Sequence, residues 1–298
     1  MVILSRNYSH VEDFQTVMSF LRDVYKKTKN LENWLPPRFE NSAKEMASGT
    51  HLWMEKSNKI DSRIIAMATP EKKFRYFMQV HPDYIFLEKE IIEWVEKKCK
   101  SLSSGEPFPI SIVVLDGNPS KEKHLDESGF EKEEVYSIPK TRKLGTPNPD
   151  FPVPDGYYIR SVDPEKDFDE LASAIRIVFG HGEWFTRDIL VRLSKASFYR
   201  RDLDLLALDH SDQIASFCTF RYDPPSGVVE LEPMGVLPEH RRRGLGKALI
   251  CEGLRRLEKY NPAILFLEAA NNLAAKRLYS ITGFEGDKPY VFWNKRIK

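Results

Sequence analysis

Two short segments recur half a chain apart, and this recurrence restricts the chain more than any other feature. Residues 112–119 read IVVLDGNP and are followed ten residues on by Gly129 and Phe130; residues 266–273 read FLEAANNL and are followed ten residues on by Gly283 and Phe284. Asn118 and Asn272 each stand eleven residues before that glycine, 154 residues apart. Upstream, Val80, His81, Pro82 and Asp83 are mirrored by Val236, Leu237, Pro238 and Glu239 at an offset of 156. Two matches at nearly one offset indicate two diverged copies of one fold. Between the copies, residues 139–154 (PKTRKLGTPNPDFPVP) hold five prolines, which resist helix and cannot donate ladder hydrogen bonds. This run reads as a linker, with domains expected at 1–138 and 155–298, a size suited to 298 residues.

Charge and composition exclude several classes of function. Lys plus Arg (45) nearly cancels Asp plus Glu (44), so no overall field draws the chain to nucleic acid or an anionic membrane. The apolar stretch at residues 1–4 is too short for a leader peptide, and no window approaches the length of a membrane span. A cytoplasmic protein is expected, as a monomer or homodimer. Three widely spaced cysteines (Cys99, Cys218, Cys251) suit neither a disulfide framework nor a zinc site. The seven histidines form no H-E-x-x-H pair, so no metal is expected.

In the second half, residues 156–160 read as a strand, and Asp163 and Pro164 carry N-cap and first-turn signals for a helix. Phe168, Leu171, Ala172, Ile175, Val178 and Phe179 follow at helical spacing. A second helix is expected over residues 186–196, then a meander of strands at 204–208, 213–222 and 228–236. A helix over 244–259, a strand over 263–269 and a helix opened by Asn272 and closed by Gly283 complete the order β-α-α-β-β-β-α-β-α-β, a mixed α/β domain.

The segment richest in chemistry is the strand-to-helix junction VLPEHRRRGLGKALI, residues 236–250. Gly244 and Gly246 free the backbone to turn sharply. A helix N-terminus carries unpaired N–H donors and partial positive charge, so Arg241, Arg242, Arg243, Gly244, Leu245, Gly246 and Lys247 form a cradle for a pyrophosphate. A Walker A loop would need glycine at 241 and Ser or Thr at 248, where Arg241 and Ala248 stand. A Rossmann fingerprint would need glycine at 249 after a parallel unit, where Leu249 follows a meander.

Arg241-x-x-Gly244-x-Gly246 resembles the [QR]-x-x-G-x-[GA] acyl-CoA loop of the GNAT N-acyltransferase superfamily, and residues 272–284 resemble that family's N-x-x-A-x-x-x-Y-x-x-x-G-F segment. The resemblance covers about residues 156–293, and the tandem arrangement is similar to that of duplicated GNAT proteins. It implies two tandem domains, each a mostly antiparallel twisted sheet flanked by helices. It further implies acetyl-CoA as co-substrate and direct transfer of its acetyl group to a primary amine, of a small molecule or a peptide, through a tetrahedral intermediate. Tyr279 falls at the family's general acid, a phenol protonated at neutral pH. The base would be a carboxylate on the strand before the loop: Glu232, or Glu230 two residues earlier, or a water relay. Pro233 within the strand favours a bulge or edge, and the family's splayed strand there receives pantetheine amides. Met234, Gly235 and Val236 would then hold the cofactor arm, with the Val236 amide a candidate oxyanion donor. Asn272 is either a pantetheine contact or only an N-cap.

Aligning the copies places Ile85, Glu88 and Glu90 where Arg241, Gly244 and Gly246 stand, and Leu125 where Tyr279 stands. Two carboxylates oppose a pyrophosphate, so no cofactor is expected in the first half. Its helical faces, Phe14, Val17, Leu21, Val24 and Tyr25, then Leu87, Ile91, Trp94 and Val95, read as scaffold. The acceptor cleft is expected near residues 180–185, Tyr199 and Tyr290. The competing reading is a non-catalytic acyl-CoA-binding or protein-interaction module on the same fold.

Overall fold

A computed structural model describes residues 2–30, 35–56, 62–103, 107–143, 145–269 and 272–297. Leu144 in the expected linker, and Ala270 and Asn271 in the repeated segment, lie outside these. The elements run β1 (Val2–Asn7), α1 (His10–Thr28), α2 (Pro36–Ser42), β2 (His51–Lys56), β3 (Ser62–Lys72), β4 (Arg75–Val80), α3 (Glu88–Ser101), β5 (Phe108–Leu115), α4 (Pro119–Glu127) and β6 (Glu131–Lys143). They continue β7 (Tyr157–Ser161), α5 (Phe168–Phe179), α6 (Arg187–Leu193), β8 (Asp204–Asp209), β9 (Ile214–Asp223), β10 (Val228–Val236), α7 (Leu245–Leu257), β11 (Ile264–Ala269), α8 (Leu273–Ile281) and β12 (Tyr290–Ile297). The order β-α-α-β-β-β-α-β-α-β occurs twice.

The chain divides into two compact units, one of Met1–Pro139 with Asp287–Lys298, the other Lys140–Gly286. This corrects the expected boundaries in two ways. Residues 139–143 are not linker but the end of β6. The last strand, β12, belongs to the N-terminal unit, where it pairs antiparallel with β5 along its whole length and with β6 on its other edge. Tyr290, Val291, Phe292 and Trp293 are buried on both strand faces, the pattern of a central strand.

In the N-terminal unit the strand order is β1-β2-β3-β4-β5-β12-β6. Successive β2 side chains alternate between two cores. Leu52 and Met54 meet Val17, Leu21 and Val24 of α1, whereas Trp53 meets Ile91 and Val95 of α3. The C-terminal unit repeats this three-layer plan with the order β11-β10-β9-β8-β7. Leu206, Leu208 and Phe217 pack on Leu171 and Ile175 of α5; Leu205, Ala207 and Phe220 pack on Leu249, Leu254 and Leu257 of α7. Helix α7 approaches the sheet closely because Gly253 has no side chain: a Cβ there would lie 2.0 Å from the Phe220 ring.

Each unit ties its first strand to its first helix by the same ion pair. Arg6 grips Asp13 at 2.7 and 2.6 Å, and Arg160 grips Asp167 at 2.5 and 2.9 Å. Asp13 also accepts the Ser9 backbone N–H at 2.8 Å, and Asp167 that of Asp163 at 2.6 Å. The helix signalled at Asp163 and Pro164 accordingly starts later, at Phe168, after a turn closed by Asp167.

Candidate active site

The site is built where β10 runs into α7. Strand β10 pairs with β9 from Val228 to Val236, with a register shift between Leu231 and Met234 that brackets Glu232 and Pro233. Its parallel register with β11 covers only Val228, Val229 and Glu230. Among the described residues β10 has no register with β11 from Leu231 onward, so backbone groups on that edge can receive the amides of an extended ligand. The proline-marked irregularity expected in this strand is present.

After a single 3-10 turn, Pro238–His240, the loop takes left-handed conformations at Arg242 (φ 62°) and Gly244 (φ 93°). Alternating backbone hands turn successive N–H groups toward one point, and α7 begins there with Leu245 and Gly246 in its first turn. Arg242 holds this geometry without the freedom of glycine, at a cost of roughly 1–2 kcal/mol. Arg241, Arg242 and Arg243 are exposed. The Arg241 Nε donates to the Val236 carbonyl at 3.2 Å, and the Arg243 Nη1 donates to the Tyr157 hydroxyl at 3.0 Å. The Lys247 ammonium sits over the Phe151 ring, 4.5 Å from its centroid. Gly246 lies against β10, where a Cβ would stand 2.8 Å from the Met234 Cε and 3.3 Å from Leu278. A helix N-terminus, three arginines and an unpaired strand edge therefore meet at one place.

Tyr279 comes to this place from α8. It is half-buried, packs with the core beneath α7 and meets the Phe284 ring edge-on at 6.0 Å. Burial, with the Glu232 carboxylate second and Cys218 third, pushes its phenol up to about 12. The hydroxyl holds its proton throughout the physiological range. The contribution of Glu232 to that shift means that the first-choice base is within electrostatic range of the expected acid.

Glu230 is fully buried and faces Arg221 across the β9–β10 register, its Oε2 accepting from Nη1 at 3.4 Å. A fully buried carboxylate paired with a buried guanidinium has the role of a structural partner, since removing either charge takes away a counter-charge of the other. Asn272 is the N-cap of α8: its Oδ1 accepts the Ala275 N–H at 2.8 Å, and its amide N–H groups remain able to donate. In the expected acceptor region, Trp184 is 65% exposed and lies tilted against His181, whose ring also stacks on Phe179 and lies beside Phe185. Tyr199 is held by Asp204 at 3.0 Å. Tyr290 belongs to the core of the N-terminal unit, because β12 does, and so leaves the acceptor set.

Asp204 carries no functional signal in its sequence context. It is buried in β8, accepting from the Thr219 hydroxyl at 2.7 Å and the Tyr199 hydroxyl at 3.0 Å. Burial outweighs these bonds and the nearby Arg221, and raises its carboxyl to about 6 from 3.8. A folded value above the unfolded one means that the native state keeps a proton the unfolded chain has released. Stability from this group is complete below pH 3.8 and is lost as pH rises through about 6. The gap corresponds to about 3 kcal/mol. Asp204→Asn, which keeps an acceptor for Thr219, is expected to equal the parent at pH 4 and to be more stable by about 1–3 kcal/mol at pH 7. Urea denaturation of both proteins across that range measures the difference, and a difference independent of pH contradicts it.

The corresponding place in the N-terminal unit holds side chains that bond to its own strand and helices. There β4 and β5 share a parallel register only at Arg75 and Tyr76. Buried Lys121 donates from Nζ to the Met78 carbonyl at 3.2 Å. By the alignment of the copies, Met78 matches Met234 and Lys121 matches Ala275, and both helices are capped alike, Asn118 accepting the Lys121 N–H at 3.3 Å. Glu88, matching Gly244, is buried and accepts from Ser120 at 2.5 Å, with the His124 Nδ1 at 3.2 Å. Glu90, matching Gly246, accepts from the Trp53 indole at 2.8 Å.

Residues 169–284 match the acetyltransferase (GNAT) family. The mycothiol acetyltransferase of Renibacterium salmoninarum is 30% identical over 198 residues, 62% of this chain and 58% of that protein. That of Actinosynnema mirum is 35% identical over 140 residues, 45% of this chain and 46% of that protein. The chain thus spans about half the length of these curated relatives. Among solved structures, a GCN5-related N-acetyltransferase from Sphaerobacter thermophilus has a TM-score of 0.69 at 18% identity, covering 99% of this chain and 96% of that one. A tandem GNAT protein from the clavulanic acid biosynthesis pathway has a TM-score of 0.65 at 14% identity, covering 99% and 98%. These two likenesses show the fold. Over residues 169–284, therefore, the chain carries a segment of the GNAT family of acetyltransferases.

Among the described residues, no helix is long and apolar enough to cross a membrane, and no group of three or more His, Cys, Asp or Glu side chains is placed to hold a metal ion.

Proposed function

We propose that the unit Lys140–Gly286 binds acetyl-CoA and transfers its acetyl group to a primary amine. The observation that carries this reading is the coincidence of the β10 edge released after Glu230 with the left-handed loop at the start of α7. The strand edge suits the pantetheine arm, through backbone groups of Met234, Gly235 and Val236. The loop N–H groups and Arg241, Arg242, Arg243 and Lys247 suit the pyrophosphate. Tyr279 gives its proton to the departing sulfur, and Glu232, directly or through water, takes one from the amine. The relatives are mycothiol acetyltransferases, which makes a small-molecule acceptor of the mycothiol kind the first to assay.

The N-terminal unit, on this reading, serves as scaffold and binds no acetyl-CoA, because Lys121 and Glu88 stand where the arm and pyrophosphate would lie. Calorimetric titration of acetyl-CoA into the intact protein is expected to show one site per chain. Two sites would overturn the assignment of the first cleft, and no binding would overturn the acyltransferase reading. Tight binding without turnover over a broad amine panel would leave a binding module.

A further inference from the structure

A cavity of about 250 Å³ lies within the C-terminal unit, lined by Arg142, Asn148, Leu254, Leu257, Glu258 and Leu265 among others. It sits at the far end of α7 from the phosphate loop, about 18 Å along a helix of thirteen residues. It is therefore separate from the proposed acyl-CoA site.

Arg142 is only 4% exposed. Its Nε donates to the Thr282 carbonyl at 3.1 Å, and its Nη2 faces the Thr146 and Pro147 carbonyls and Asn148 Oδ1 at 3.0, 2.9 and 3.1 Å. All four acceptors are neutral. Among the described residues no carboxylate pairs with this guanidinium, and Nη1 has no acceptor. Burial draws Arg142 below its ordinary range. A buried cation satisfied only by dipoles is an incomplete arrangement, which a bound anion would complete.

Glu258 supplies the opposite charge. It is exposed at the rim, and its Oε1 accepts from Asn148 Nδ2 at 2.6 Å. It forms no ion pair among the described residues. The one amide of Asn148 thus spans a buried cation and a rim carboxylate, neither of them in an ion pair among those residues. A molecule bearing a carboxylate and an ammonium on one carbon bridges such a gap. The remaining walls, Leu254, Leu257 and Leu265, are buried and apolar. The volume suits a small metabolite rather than a nucleotide.

We propose that this cavity binds a free apolar α-amino acid, its carboxylate on Arg142, its ammonium on Glu258 and its side chain among the leucines. The test is calorimetric titration of L-leucine, 4-methylpentanoate and leucinamide into the intact protein and into Glu258→Gln and Pro147→Trp. Glu258 and Pro147 are exposed, so both variants are expected to fold, which circular dichroism checks. One leucine per chain is expected, with each single-charge analogue weaker by about tenfold or more. Glu258→Gln should lower leucine affinity to that of 4-methylpentanoate, and Pro147→Trp should abolish binding by filling the cavity. Absence of leucine binding at millimolar concentration overturns the proposal. So do equal affinities for the three probes, or leucine affinity unchanged in both variants.

Discussion

Tyr279→Phe is expected to lower kcat by about 10²–10⁴-fold while leaving the KM for acetyl-CoA within a few-fold of the parent. The hydroxyl is the only atom removed, and the ring keeps its edge-on contact with Phe284. Fold and cofactor binding should therefore survive, at a stability cost of about 1 kcal/mol. The pH dependence separates a proton donor from a packing residue. With its phenol pushed up to about 12, Tyr279 is protonated at every pH where the enzyme is assayed. The parent should show no alkaline fall in kcat from this group below pH 10, and the deficit of the variant should be constant from pH 6 to 9. Steady-state kinetics of both proteins against pH measure this. A variant within a few-fold of the parent would reduce Tyr279 to a packing role and leave protonation of the sulfur to water.

How much of the site is legible in the sequence depends on whether a feature is local. The turn into α7 is legible because glycine at 244 and 246 and arginine at 241 act locally. The cap at Asn272 is legible for the same reason, its carboxamide oxygen accepting the Ala275 N–H. The roles of Glu230 and Glu232 are not separable from sequence, because alternation puts both on one strand face. Only the β9–β10 register reveals that Arg221 stands opposite Glu230. The placement of β12 is not legible either. A final strand is expected from the element order, but a strand pattern does not name its partners, and Tyr290–Ile297 pairs with β5, some 180 residues earlier by its bond from Ser111 to Asn294. Asp163 and Pro164 carry good helix signals that lose to the Arg160–Asp167 ion pair, which holds those residues in a turn. That clamp has a trace of its own in the chain: Arg6 and Asp13 precede Arg160 and Asp167 by the same 154 residues as Asn118 precedes Asn272. The shared offset marks the clamp as part of the repeat.

Gly246→Glu, which copies Glu90 of the first repeat into the second, is expected to reduce acetyl-CoA binding by more than about 100-fold. Two effects act together, and a second variant divides them. A Cβ at 246 meets the Met234 Cε at 2.8 Å and Leu278 at 3.3 Å, so any side chain presses on the strand that would hold the cofactor arm. The Met234 methyl is the end of a flexible chain and gives way at modest cost. Gly246→Ala adds this wedge alone, partly offset by the better helix propensity of alanine, about 1 kcal/mol. It should fold as the parent does and bind about tenfold more weakly. The glutamate adds a negative charge in the first turn of α7, where the helix dipole tolerates it in the free protein but the pyrophosphate does not. Added salt screens that repulsion and should recover part of the affinity in the glutamate variant and almost none in the alanine variant. Calorimetric titration of the three proteins at low and high ionic strength reads both contributions. If the glutamate variant bound acetyl-CoA like the parent, the pyrophosphate would have to lie elsewhere, and the left-handed turn at Arg242 and Gly244 would lose its explanation as a phosphate cradle.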